Sequence, residues 1–448
     1  MNKFENDLAK GSVLKKLIMF SLPFLASNII QSLYNVADML IVGQFSGTAS
    51  MSGVNIGGQV TFIVTNIIIG LCTGGTVIIA QSIGAKDKQS TKETTSTLIT
   101  LLALLGVILT VIMIIFGDPI LHLLKTPAES YDESKNYLIV TSLGIIFIFG
   151  YNALSGILRG MGDSKRPFWF ITIACFTNIV LDLVLVAIFD MGAQGAAIAT
   201  VFSQALSMIL CIIYLKKNNF IFDFKLKSFR IKTHRLTQII KIGLPSAVQN
   251  GIVSLSFLVI TTLVNEIGVE ASAAVGVVGK FNSFAIMPAI AMSNSISTMA
   301  AQNIGANEWD RAKKCCHIGL TISAIISFII FGIAQGFAGP IISLFDHNPV
   351  VIESGITYMR TFSFDYIIVP FVFCLNGLFI GAGHTTFSLM NSMMSSLLLR
   401  IPGSLIFGKV IGMGLSGIGL GGPVASLGSL AMVLFFYFTG RWKKNTIY

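Results

Sequence analysis

Ala80-Gln-Ser-Ile-Gly-Ala85 returns 221 residues later as Ala301-Gln-Asn-Ile-Gly-Ala306. Leu22-Pro23 returns as Leu244-Pro245, and Gly156, Gly160 and Gly162 return as Gly377, Gly381 and Gly383. Near the end of each copy, Met191-Gly192-Ala-Gln-Gly195 matches Met413-Gly414-Leu-Ser-Gly417. An offset held at 221 or 222 residues over nearly half of the chain is the trace of an internal structural repeat. In membrane proteins such repeats meet around a central pathway, so the pattern points to transport.

The composition places the repeat in a bilayer. Of 448 residues 54% are hydrophobic and only 11% charged, with a mean hydropathy of +0.81, too little polar surface for a water-soluble chain of this size. Crossing a hydrocarbon core of about 30 Å takes roughly 20 residues of helix. Twelve apolar stretches reach that length, at approximately 14–43, 53–84, 93–117, 136–158, 166–189, 194–215, 237–264, 275–304, 314–339, 357–381, 386–408 and 415–440. The expected fold is therefore all-α and integral to the membrane. Twelve transmembrane helices form two six-helix lobes, which are parallel repeats because six is even. The expected boundaries are a first lobe over 1–215, a basic cytoplasmic linker over 216–236 and a second lobe over 237–448.

Positive charge sets the orientation. Lys10, Lys15 and Lys16, then Lys86, Lys88 and Lys92, then Arg159, Lys165 and Arg166 all fall on one side, and the linker and Arg441, Lys443 and Lys444 join them. The other side collects Asp118, Glu129, Asp132, Glu133, Asp190, Glu266, Glu270, Asp346 and Glu353. A multi-pass plasma-membrane protein with both termini cytoplasmic is expected. The formal charge of +10 is thus a topology signal, spread over short loops, and argues against nucleic acid as a partner. The apolar run from Leu17 is too long for a cleavable signal peptide, so span 1 should persist as a helix. No cofactor is expected. Cys72, Cys175, Cys211, Cys315, Cys316 and Cys374 lie within spans or at their cytoplasmic ends and read as packing residues, not as a disulfide framework or a metal site. Five scattered histidines and the lack of a Gly-x-x-x-x-Gly-Lys-Ser/Thr motif leave no basis for an enzyme or for direct use of ATP.

Three carboxylates fall inside spans, at Asp38, Asp182 and Asp365, and each costs about 3 kcal/mol at a helix centre unless it faces a cavity, a partner or an ion path. Asp38 in span 1, Asp182 in span 5 and Thr200 in span 6 all come to a depth roughly 8 to 10 Å below the outer boundary at 1.5 Å per residue. Asn178 shares the face of Asp182, four residues away. These four residues are the candidate cation or proton site, able to hold H+ or to offer oxygens to Na+, the only metal ion expected. Asp365, with Lys280 and Arg400 in the outer half of the second lobe, is a candidate gating ion pair. The sharper alternative reads the two cations as a patch for an anionic substrate. Gln31, Tyr34, Asn35 and Asn152 are the candidate substrate contacts, for small amphipathic molecules that adaptable Met and Phe surfaces accept.

Together, the twelve spans, Gln31-Ser-Leu-Tyr34-Asn35-Val-Ala-Asp38, the paired Ala-Gln-x-Ile-Gly-Ala motifs and Arg159-Gly160-Met-Gly162-Asp163 resemble the multidrug and toxic compound extrusion (MATE) family, and most closely its DinF-like branch. The resemblance implies export of organic cations and other amphipathic compounds in exchange for protons or sodium. It also implies that coupling resides in the first lobe, because Gln249-Asn250-Gly-Ile-Val253 lacks the span 7 acid of the NorM-like branch. The rival reading is a flippase for a lipid-linked precursor. A monomer is expected.

Overall fold

In the computed structural model, which describes Phe4, residues 6–444 and Ile447, every regular element is a helix. Among the described residues eleven helices are long and apolar enough to cross a bilayer. A twelfth span is broken: Ala128–Leu143 and Ile145–Gly160 meet at an angle of 49°. In span 10 the expected stretch is likewise divided, into Pro349–Phe362 and Phe364–Gly381. A break inside a membrane frees backbone carbonyls that lipid cannot satisfy, and side chains repair both. Thr110 Oγ1 donates to the carbonyl of Ser142 at 2.8 Å, and Gln335 Nε2 donates to the carbonyl of Arg360 at 2.8 Å and to Ser363 Oγ at 2.9 Å.

Spans 5 and 11 share another irregularity. Asp182 closes the α-helical part of span 5 (Lys165–Ile188), which then runs as a π-helix from Leu183 to Ile188. Span 11 (Thr385–Val410) carries the matching π-segment Ile406–Val410 and a further one, Met394–Arg400. A π-turn accommodates one extra residue in a helix. The additional segment accounts for the growth of the repeat offset from 221 at Gly162 and Gly383 to 222 at Met191 and Met413.

The chain divides into two compact units, but the division falls elsewhere than the expected boundaries at 215 and 237. Among the described residues, Leu22–Ala247 forms the first with those ahead of Leu8, and Leu8–Ser21 belongs to the second with those from Val248 onward. The linker is therefore not a separate element, and the opening segments of spans 1 and 7 each leave the lobe that the sequence assigned them. Packing explains both exchanges. Leu8, Val13, Leu17 and Phe20 are buried in one cluster with Met292, Ile296 and Met299, while the Leu8 amide donates to Gln302 Oε1 at 3.0 Å. Span 7 (Thr233–Asn265) begins against span 2 (Gly47–Gly84) with backbones nearly touching. A Cβ on Gly74 would lie 2.6 Å from the Ile239 carbonyl oxygen, and one on Gly243 would lie 2.8 Å from Leu71 Cα. Each exchange ends beside the equivalent prolines Pro23 and Pro245, which lie inside their helices.

Candidate functional site

The first unit gathers Asp38, Asn178, Asp182 and Thr200 in one buried cluster. Asp38 is 8% exposed, Asn178 1% and Asp182 fully buried. Span 1 (Val13–Phe45) brings Asp38, span 5 brings Asn178 and Asp182 one turn apart, and span 6 (Gly192–Lys217) brings Thr200. The Asn178 amide donates to Asp182 Oδ2 at 3.2 Å and accepts from the Thr200 backbone N–H at 3.3 Å. Thr200 Oγ1 lies 3.5 Å from the same amide. That backbone contact orients Asn178 and so fixes which group it presents to the acid.

The carboxyls of Asp38 and Asp182 are neighbours, in electrostatic reach of one another. Oδ1 of each is buried and no donor reaches it. Two ionised carboxylates offer acceptors only, so a hydrogen bond between them would require a proton on one of them. Burying both charges without cations nearby would be costly for the same reason that a buried polar group must be paired. Such a pair is chemically able to hold a proton between two helices, since without one two like charges would face each other in a poorly hydrated setting.

Tyr137 was not anticipated from the sequence. It is 7% exposed and within electrostatic reach of Asp38, Tyr34 and Asp182. Its ring is seated against Gly57, where a Cβ would come within 2.5 Å of Tyr137 Cδ1, so the close approach demands glycine. The repeat itself carried the signal, since Tyr137 recurs as Tyr358 at the 221-residue offset. Above the cluster, Glu133 Oε2 accepts from the Ala193 N–H at 2.8 Å and caps the start of span 6.

Of the candidate substrate contacts, Gln31 and Asn35 are exposed, Tyr34 is half-buried, and Tyr34 lies in electrostatic reach of Asp38 and Asp182. Asn152 is half-buried and spends its amide N–H on the Ile148 carbonyl at 2.8 Å. The candidate gating ion pair does not form in this structure. Lys280 is exposed and lies 5.7 Å from the Phe345 ring, on a different element from Asp365. Asp365 is 4% exposed, lies beside Ser426 and feels Arg400 electrostatically without forming an ion pair with it, and the Arg400 guanidinium lies over the Phe257 ring at 4.7 Å. All six cysteines are free and buried. Among the described residues no three His, Cys, Asp or Glu side chains are grouped as metal ligands.

A family profile described as MatE matches residues 23–184 and 245–406, the two copies of the repeat. "Probable multidrug resistance protein YpnP" of Bacillus subtilis is 29% identical over 99% of this chain and 98% of its own. "Probable multidrug resistance protein NorM" of Thermotoga maritima is 26% identical over 99% of this chain and 97% of its own. A solved outward-facing structure of a multidrug resistance MATE family transporter superposes with a TM-score of 0.92 at 23% identity, covering 98% of both chains.

Proposed function

This chain belongs to the MatE family of multidrug efflux transporters, is a multi-pass membrane protein and not an enzyme, and from that premise we propose that it exports amphipathic, often cationic compounds in exchange for protons taken up at Asp38 and Asp182. One observation carries the choice of ion: two buried carboxyls from different spans lie in electrostatic reach of each other, where a shared proton relieves their like charge. In the proposed cycle the outward-open site takes up a proton, the negative charge of the pair falls by one, the helices that carry it repack and bound cargo loses affinity. Cargo and proton thus couple negatively. A coupling of about 1 to 3 kcal/mol changes affinity roughly 5- to 150-fold, and each charge moving inward gains about 2.3 kcal/mol per 100 mV. Gln31, Tyr34 and Asn35, which share span 1 with Asp38, are the proposed cargo contacts. The basic loops support a plasma-membrane setting with both termini cytoplasmic.

The test is efflux of ethidium from proteoliposomes, driven separately by a pH gradient and by a sodium gradient. The pH gradient alone should suffice. Transport by the sodium gradient alone would replace the proton with sodium at the same oxygens, and transport by neither would remove the antiport reading.

A further inference from the structure

The second copy of the repeat keeps the frame of the acid cluster and reverses its charge. At the 222-residue offset that relates Leu22-Pro23 to Leu244-Pro245, Asp38 is replaced by Ile260, Asn35 by Phe257, Asp182 by Ser404 and Asn178 by Arg400. Tyr137 is retained as Tyr358, and Asp365 stands where the first copy has Gly144. Arg400 is the last residue of the π-turn Met394–Arg400, the insertion that the first copy lacks.

These residues are neighbours within the second unit. Tyr358, 6% exposed, and Asp365 are both in electrostatic reach of Arg400. Arg400 buries Nε and Nη1 with no acceptor on either, and the hydroxyl of Tyr366, 3% exposed, is also buried without a partner. Asp365 keeps a buried Oδ1 that no donor reaches, so the nearest acid does not close on the guanidinium. Buried donors left unpaired are costly, and those of an arginine are best met by anionic oxygens. The Phe257 ring under the guanidinium adds an apolar face beside the charge.

We propose that the second unit holds an anion subsite built on Arg400 and flanked by Tyr358 and Tyr366, which takes the carboxylate or phosphate of an amphipathic molecule. Asp365 competes for the same guanidinium and limits how tightly anions bind. The subsite rests on the transporter reading for its physiological cargo, while its affinity for anions is measurable without transport.

The experiment uses the full chain purified in detergent, with fluorescein as the anionic probe and ethidium as the cationic one, both followed by fluorescence anisotropy. Arg400→Gln should lower the ratio of fluorescein to ethidium affinity at least tenfold, the scale of one lost charge-assisted hydrogen bond. Arg400→Lys should keep part of it, and Asp365→Asn should tighten fluorescein. Arg400→Lys also serves as the second variant should Arg400→Gln fail to run as a single species on size exclusion. Wild-type protein that does not bind fluorescein, or an Arg400→Gln variant that weakens both probes equally, overturns the subsite. Loss of ethidium efflux in Arg400→Asp and in Asp365→Arg with recovery in the double exchange would overturn it in favour of a gating ion pair. Benzoate and dioctanoyl phosphatidylglycerol, as competitors, separate a free carboxylate from a lipid phosphate, and displacement by either supports the subsite; displacement by neither defeats it. Ethidium efflux from proteoliposomes is scored independently, so failure of the transporter reading is distinguishable from failure of the anion subsite.

Discussion

If Asp38 and Asp182 share one exchangeable proton, removing either removes the same unit, and the two losses should not add. On that reading Asp182 would have two partners, the proton shared with Asp38 and the Asn178 N–H at 3.2 Å. Asp182→Asn abolishes the titrating carboxyl and turns a charge-assisted bond into an amide contact. Such a bond is worth about 1.5–3 kcal/mol, or roughly 10- to 150-fold in rate if it acts in the rate-limiting exchange. Asp38→Asn should cost a similar factor, because it leaves Asp182 without its partner. Independent sites would multiply, so that the double variant fell roughly 10²- to 10⁴-fold, whereas a shared proton predicts a double variant within about twofold of the worse single one. The assay is the initial rate of ethidium efflux from proteoliposomes under a fixed pH gradient, normalised to inserted protein. Multiplicative losses, or an Asp38→Asn variant with an undiminished rate, would refute the shared site.

Gly57→Leu should displace the Tyr137 ring, whose Cδ1 would lie 2.5 Å from the new Cβ, at a cost of about 1–3 kcal/mol seen as a lower thermal midpoint together with slower efflux. Leu17→Ala should cost about 2–5 kcal/mol on thermal unfolding although Leu17 is remote from the acids, because it is fully buried among residues of the second unit. Glu133→Ala should lose about 1 kcal/mol by uncapping Ala193, and Glu133→Gln, which keeps an acceptor oxygen, should lose less in the same unfolding assay. His384, in the turn before span 11, is held below its ordinary value by burial, and its Nε2 lies 2.9 Å from the Lys444 carbonyl oxygen. The unfolded chain therefore binds that proton first. Stability should fall as pH drops below about 6.5, the ordinary histidine value, and His384→Asn should flatten thermal midpoints measured between pH 7.5 and 5.5.

Much of the site was legible because polar groups are rare in an apolar chain. Asp38, Asn178, Asp182 and Thr200 stood out at one depth by counting residues along three helices, and the 3.6-residue period put Asn178 and Asp182 on one face. Tyr137 did not stand out, because a tyrosine in a span reads as packing until its neighbours are known. Lys280, Asp365 and Arg400 looked like partners because their depths agreed, but depth says nothing about rotation about each helix axis. Lys280 lies instead by Phe345 and Arg400 over Phe257.

By itself the sequence determined the membrane setting, the twelve crossings and the repeat, since hydropathy, span length and a constant offset are properties of the linear chain. The tertiary structure alone decided which unit the openings of spans 1 and 7 join, where spans 4 and 10 break, and that two buried acids from different spans are neighbours while an arginine forms no ion pair with Asp365. Those outcomes depend on side-chain direction and close backbone approach between segments more than a hundred residues apart. Local pattern constrains neither, and packing fixes both.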